Sequence, residues 1–352
     1  MTSPQTIPFD SGRWQWHAAE SRVEQHLGRT SLYLKGGIAT VADARFADGA
    51  IEFDLAFTGD RGFVGGVWRV QDPRNYEEFY VRPHQSGNPD ANQYTPVFNG
   101  VSGWQLYHGP RYTAPVTYPF GEWFRVRILF SGDQAEVYIR DMEKPVLFVD
   151  GLKRDVVPGG VGVSAGNFAP GWFSNFSFTA MEAPPMQGRP GQPESLPDGC
   201  ISSWWVSDVF PESTLEGRYV LAPEDLAGRS WSPLETERSG LANLARVQGI
   251  DLRRDTVFAR KVLLSDREQI KRLDFGFSDR VRVYLNRRLL YRGDDTYQSR
   301  DYRFLGSIGY FDALYLSLVP GENELLMAVS EELGGWGIQA KFENLAGLTF
   351  QD

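Results

Sequence analysis

The octapeptide EEFYVRPH, residues 77–84, carries the densest set of side chains able to do chemistry. Successive side chains alternate along an extended strand, so Phe79 and Val81 on a core face leave Glu78, Tyr80, Arg82 and His84 on the other. The same alternation in VWRV sets Arg69 opposite Trp68 and Val70, and in WQLYH it sets Gln105 and Tyr107 opposite Trp104 and Leu106. One sheet face would then gather Arg69, Glu78, Tyr80, Arg82, His84, Gln105 and Tyr107. Aromatic planes beside planar amide, guanidinium and carboxylate groups suit a sugar ring with paired hydroxyls. A solvated sheet face with no ligand is polar as well.

The long polar and aromatic stretch that follows, residues 82–112, adds Asn92 and Gln93 to the ligand-binding candidates. Its Asp90, with backbone carbonyls, could hold a structural calcium ion, and so could the Asp294–Asp295 pair in RGDDTY. Asx-turn chemistry accounts for the same aspartates without a metal. Catalytic candidates are Glu78 and His84, although six residues of strand would separate them by about 20 Å. Glu77 and Glu78 are adjacent and face opposite sides. Glu52-x-Asp54 lacks a third carboxylate three positions on, where Phe57 stands, which argues against retaining hydrolysis by paired acids. The four histidines have no metal-ligand spacing, the single Cys200 excludes an internal disulfide, and no cofactor is expected.

The elements that must position these residues are strands. Short runs rich in Val, Phe, Tyr and Leu are separated by Gly, Pro, Asn and Asp, and almost none keeps a helical period. In GAIEFDLAF, residues 49–57, Ile51, Phe53, Leu55 and Phe57 alternate with Ala50, Glu52, Asp54 and Ala56. Short helical pieces are expected only near residues 223–227 and 241–246. A proline- and glycine-rich stretch, residues 181–199, has the composition of a linker. The expected organisation is therefore all-β and two-domain, with domains over 1–180 and 200–352.

The order of GAIEFDLAF, GFVGGVWRVQDPRNYEEFYVRP, GEWFRVRILFSGDQAEVYIRDMEKPVLFVDGLK and GGVGVSAGNFAPGWFSNFSF resembles the concanavalin A-like lectin/glucanase superfamily. Within it, the laminin G-like and 3-keto-disaccharide hydrolase-like domains are the nearest pattern. The resemblance implies a jelly-roll sandwich whose concave sheet binds sugars. FARKVLLS, RVRVYLNRRLLY and VPGENELLMAVSEELGGWGIQAKFE are similar to the galactose-binding-like jelly roll of family 2 glycoside hydrolases, with Asn286-Arg287 where that pattern has Asn-Gly. No catalytic barrel follows these segments, so that barrel's activity is not carried over.

Charge bounds the partners. The 352 residues carry a formal net charge of −9. Residues 1–199 hold 17 basic and 22 acidic side chains and residues 200–352 hold 19 and 23, so neither part is basic enough for phosphate backbones. No apolar run approaches a membrane span, and the N-terminal residues show no standard export signal, which reads as cytoplasmic. The leading expectation is carbohydrate binding on the first sandwich, without catalysis. A glycoside-acting hydrolase of the 3-keto-disaccharide hydrolase-like type and a protein–protein interaction module are the alternatives. The assembly state is left open.

Overall fold

A computed structural model describes residues 3–351. The chain divides into two compact units. The first comprises the chain up to Val97 together with Tyr107–Gly191, and the second comprises Phe98–Leu106 together with the chain from Gln192 onward. Both are built from antiparallel strands. No helix among the described residues is long and apolar enough to cross a membrane.

In the first unit one curled sheet runs in the order Leu147–Asp150, Gln134–Ile139, Phe124–Ser131, Gly49–Ala56, Gly171–Ala180, Arg29–Val41, Gly160–Ala165, Val64–Asp72, Asn75–Val81, Asn92–Phe98. The strand Trp14–His26 lies along Arg29–Val41. Arg29–Val41 serves both halves of the curl: Leu32–Leu34 pairs with Gly171–Phe173, and Gly37–Thr40 pairs with Gly162–Ala165. The strand changes partner at Gly36 and Gly37. Gly36 has φ +71°, and a Cβ there would lie 2.7 Å from Asn167 Oδ1. Only glycine takes that conformation in that space without strain.

The alternation expected in GAIEFDLAF holds, with Ile51, Phe53 and Leu55 fully buried, and so do Phe79 and Val81. The two halves of the curl meet at Gly66, where a Cβ would strike Ile128, Ile51 and Phe53. Trp68 stacks on Phe130 in the same core.

The strand Val64–Asp72 departs from simple alternation. Its pairing with Asn75–Val81 shifts register after Trp68, at Arg69, whose φ is +50°. This bulge corrects the expected placement of Arg69: an extra residue breaks the period of two. Its guanidinium turns inward, donating to Ala47 O (2.8 Å), Gly132 O (2.5 Å) and Asp48 (3.1 Å).

The first part of the proline-rich segment is tied to this unit. Buried Glu136 accepts from the backbone nitrogens of Gln187 and Gly188, Asp150 accepts from Gly191 N, and Met181 and Met186 pack against Leu129 and Tyr138.

The second unit has a seven-stranded sheet and a four-stranded sheet around a core that includes Trp204, Phe275, Met327 and Trp336. The hairpin of Arg280–Leu285 and Arg288–Asp294 turns through Asn286 and Arg287, both at positive φ. This is the turn geometry that Asn-Gly ordinarily supplies.

Candidate functional site

The outer face of the half-curl containing Asn75–Val81 brings together Tyr76 and Glu78 on that strand and Val67 on the next. Ser164 and Ile38 lie on the two strands beyond. Ile38, Val67 and Val70 form a small apolar cluster with Tyr76 packed against it. Val70 reaches this face because the bulge at Arg69 reverses the side-chain direction after Trp68. A cleft of about 90 Å³ adjoins the cluster; its lining includes Gln15, His17, Ile38, Thr40, Val70 and Gln71.

Glu78 is half-buried on this face. Burial pushes its carboxyl up to about 7. The one group that opposes the shift is the Ser164 hydroxyl, through a side-chain hydrogen bond to this carboxyl, and the buried Ser164 Oγ has no other partner. No cation stands beside this carboxyl to hold it ionised, so desolvation prevails. Burial, with the Glu78 charge adding to it, raises the Tyr76 phenol well above its ordinary value. Asp72 at the cleft is exposed and already accepts from Arg74 N and Asn75 Nδ2.

The remaining candidates from the sequence lie elsewhere or are sealed. Tyr80 and Arg82 are buried, and both donate to the side-chain oxygen of Gln93, whose amide nitrogen donates to Tyr107 O (2.5 Å). Arg82 also donates to Asp90 O (2.8 Å). These side chains hold the loop against the sheet, and burial pushes the Tyr80 phenol up to about 12. Asn92 is buried in reciprocal hydrogen bonds with the Ala114 backbone.

The strand Asn75–Val81 ends before His84, which sits in a short 3-10 turn, Pro83–Gln85, with its ring 5.6 Å from that of Phe63. Burial, then Arg61 and Arg82, lower its imidazole. Alternation therefore does not place His84 beside Glu78. Gln105 and Tyr107 do not share a strand face either. Gln105 belongs to the second unit, where it donates to Leu305 O and its backbone accepts from Ile308. Tyr107 belongs to the first and is 1% exposed.

Of the expected binding set, Glu78 and His84 retain solvent access. Tyr76, Ile38, Val67, Ser164 and His17 were missed. Extending the alternation two residues back from Glu78 finds Tyr76, but the others depend on strand order.

Among the described residues no group of three or more His, Cys, Asp or Glu side chains is placed to hold a metal ion. Asp295 is buried in an ion pair with Arg300, and Asp294 accepts from Thr296.

No protein-family model matches the chain, and no curated protein matches it. Among solved structures it is similar to the carbohydrate-binding module CBM66 from Bacillus subtilis, at 15% identity over 47% of this chain and 95% of that one, with a TM-score of 0.36. The β-glucanase of Bacillus licheniformis is 11% identical over 51% of this chain and 99% of that one, with a TM-score of 0.35. A Bacillus subtilis protein of unknown function with a galectin-like fold is 11% identical over 49% and 94%, with a TM-score of 0.38. By name, the first is a carbohydrate-binding module and the second a glucanase. At such identities and TM-scores the likeness places no residue and assigns no activity.

Proposed function

We propose that this protein binds carbohydrate on the outer sheet face around Glu78. The observation that carries the reading is a desolvated carboxyl beside a buried hydroxyl that has no partner but that carboxyl, flanked by a tyrosine packed on a buried apolar cluster and by a polar cleft. Sugars are recognised by such mixtures: ring C–H groups would lie against the half-buried Tyr76 while hydroxyls satisfy the Glu78 carboxyl, with Ile38, Val67 and Ser164 buried beneath them. Glu77 cannot serve as a second acid, because it faces inward and accepts from Tyr94 (2.7 Å) and Arg154 N (3.0 Å). Binding is accordingly favoured over hydrolysis.

A glycoside-acting enzyme is the second reading, favoured by one feature. A carboxyl at about 7 is half-protonated at neutral pH, as a general acid should be.

A glycan array probed with the purified chain tests both. Binding of a defined glycan class, weakened about tenfold by Tyr76→Ala at unchanged melting temperature, supports the site, since a stacked ring contributes on the order of 1 kcal/mol or more. Full affinity in that variant, or a silent array, overturns it. Released reducing ends that disappear in Glu78→Gln would establish the enzyme instead.

For the second unit we propose a galactose-binding-like sandwich, on the strength of its sequence segments. A structural calcium ion at Asp90 or at Asp294–Asp295 remains a proposal, and at Asp295 it would compete with Arg300.

A further inference from the structure

The strand Trp14–His26 is 13 residues long and pairs with Arg29–Val41 alone among the described strands. It ends in a two-residue turn, Leu27–Gly28, with φ of 46° and 74°, which is the type I′ geometry of a tight hairpin. In such a hairpin the pair flanking the turn, His26 and Arg29, exchanges backbone hydrogen bonds, and bonded pairs then recur at every second residue. Glu24, Arg22 and Glu20 therefore turn their backbone groups toward Arg29–Val41, consistent with Ser31 Oγ donating to Glu24 O. Ser21, Val23 and Gln25 turn theirs to the open edge.

A long open edge invites another strand, and soluble proteins usually guard against this with bulges, prolines or short length. This strand has no proline, and its register with Arg29–Val41 runs without a shift. Val23, at the middle of its outer half, is 39% exposed. By contrast, the strand at the opposite end of the curl, Leu147–Asp150, has four residues, and a Cβ on Gly188 would lie 2.3 Å from the Phe148 ring, so that edge is short and closely covered.

We propose that this edge pairs with its equivalent in a second copy of the chain, antiparallel about a two-fold axis through Val23. The sequence ESRVEQH, residues 20–26, is self-complementary in that register. Val23 meets Val23, Arg22 meets Glu24 of the other copy on both sides of the axis, Glu20 meets His26, and Ser21 meets Gln25. The bonded pairs are Val23 with itself and Ser21 with Gln25, on the groups already turned outward. Moving the axis one residue either way sets Arg22 against Arg22 or Glu24 against Glu24, and opposed like charges destabilise a strand pair. A two-fold contact of this kind closes on itself, giving a dimer and not a filament.

The test is sedimentation of the full chain from low to high micromolar concentration. The wild type should dimerise. Arg22→Glu and Glu24→Arg should each weaken dimerisation by about tenfold or more, because each replaces two attractions by two repulsions. An equimolar mixture of the two variants should restore the dimer, since the carboxylate introduced by Arg22→Glu in one copy then faces the guanidinium introduced by Glu24→Arg in the other. Glu24 also accepts from Trp172 Nε1, so Val23→Asp, which sets two carboxylates on the axis, serves as a second dissociating variant. A wild type that stays monomeric overturns the proposal. So do folded variants that dimerise like the wild type, or a mixture of folded single variants that stays monomeric.

Discussion

The two outer faces of the first unit treat their carboxylates in opposite ways. On the strand Gly49–Ala56, Glu52 and Asp54 are enclosed by cations. Arg125 donates to both, at 3.0 Å to Glu52 and 3.1 Å to Asp54. Arg127 reaches Glu52 (3.0 Å), and Arg29 and Asn175 reach Asp54 (2.5 and 2.7 Å). On the other face Glu78 has neither an arginine nor a lysine, and burial lifts it to about 7. Both faces carry carboxylates, and the strands that bear them follow the same alternation. What separates them is whether charge is neutralised within the protein, and the face with an uncompensated carboxyl is the one left with hydrogen-bonding capacity for a ligand.

The largest effect should come from a residue that only looks like part of the open face. Arg82→Ala should cost about 2–4 kcal/mol in chemical denaturation, because it removes the buried charged donor shared by the Gln93 oxygen, the Tyr80 hydroxyl and Asp90 O. A silent substitution would return Arg82 to the candidate site.

On the paired face, Arg125→Met should cost about 1–2 kcal/mol and make stability less sensitive to salt, since it removes a partly buried contact to two carboxylates. An unchanged melting temperature would mean that the ion-pair lattice is ornamental and the contrast between the faces weaker than drawn.

Glu78→Gln probes the open face with the opposite sign. Between the ordinary carboxylate range and about 7 the folded protein holds a proton that the unfolded chain has released, so wild-type stability declines as pH rises through that window. Glutamine never ionises. The variant should match the wild type near pH 5 and exceed it at pH 8 by about 1–2 kcal/mol, a figure reduced for the partial solvent access of the site. Melting curves at the two pH values check this, and equal differences at both would show Glu78 to be an ordinary surface acid.

The smallest effect separates the aspartates from both faces. With Asp295 committed to Arg300 and Asp294 to Thr296, an ion at that pair should raise the melting temperature in millimolar calcium over that in chelator only slightly, and coinciding curves would remove it from the account. A rise in calcium would identify an ion that binds only the folded state.

Local periodicity was enough to read the strand class and the inward directions of Ile51, Phe53, Leu55, Phe79 and Val81, because side-chain alternation is a property of a few consecutive residues. It also placed Glu78 on the outer face. It failed wherever a distant partner intervened. Arg69 is turned by a bulge and held by Asp48 and Gly132. Gln105 is taken into the second unit by contacts some 200 positions away. The arginines that neutralise Glu52 and Asp54 lie 25 to 75 positions from them. Alternation along one strand says which way a side chain points. What stands beside it is decided by strand order, and burial with or without a counter-charge, which separates a structural carboxylate from a receptive one, is therefore settled only when the chain has curled.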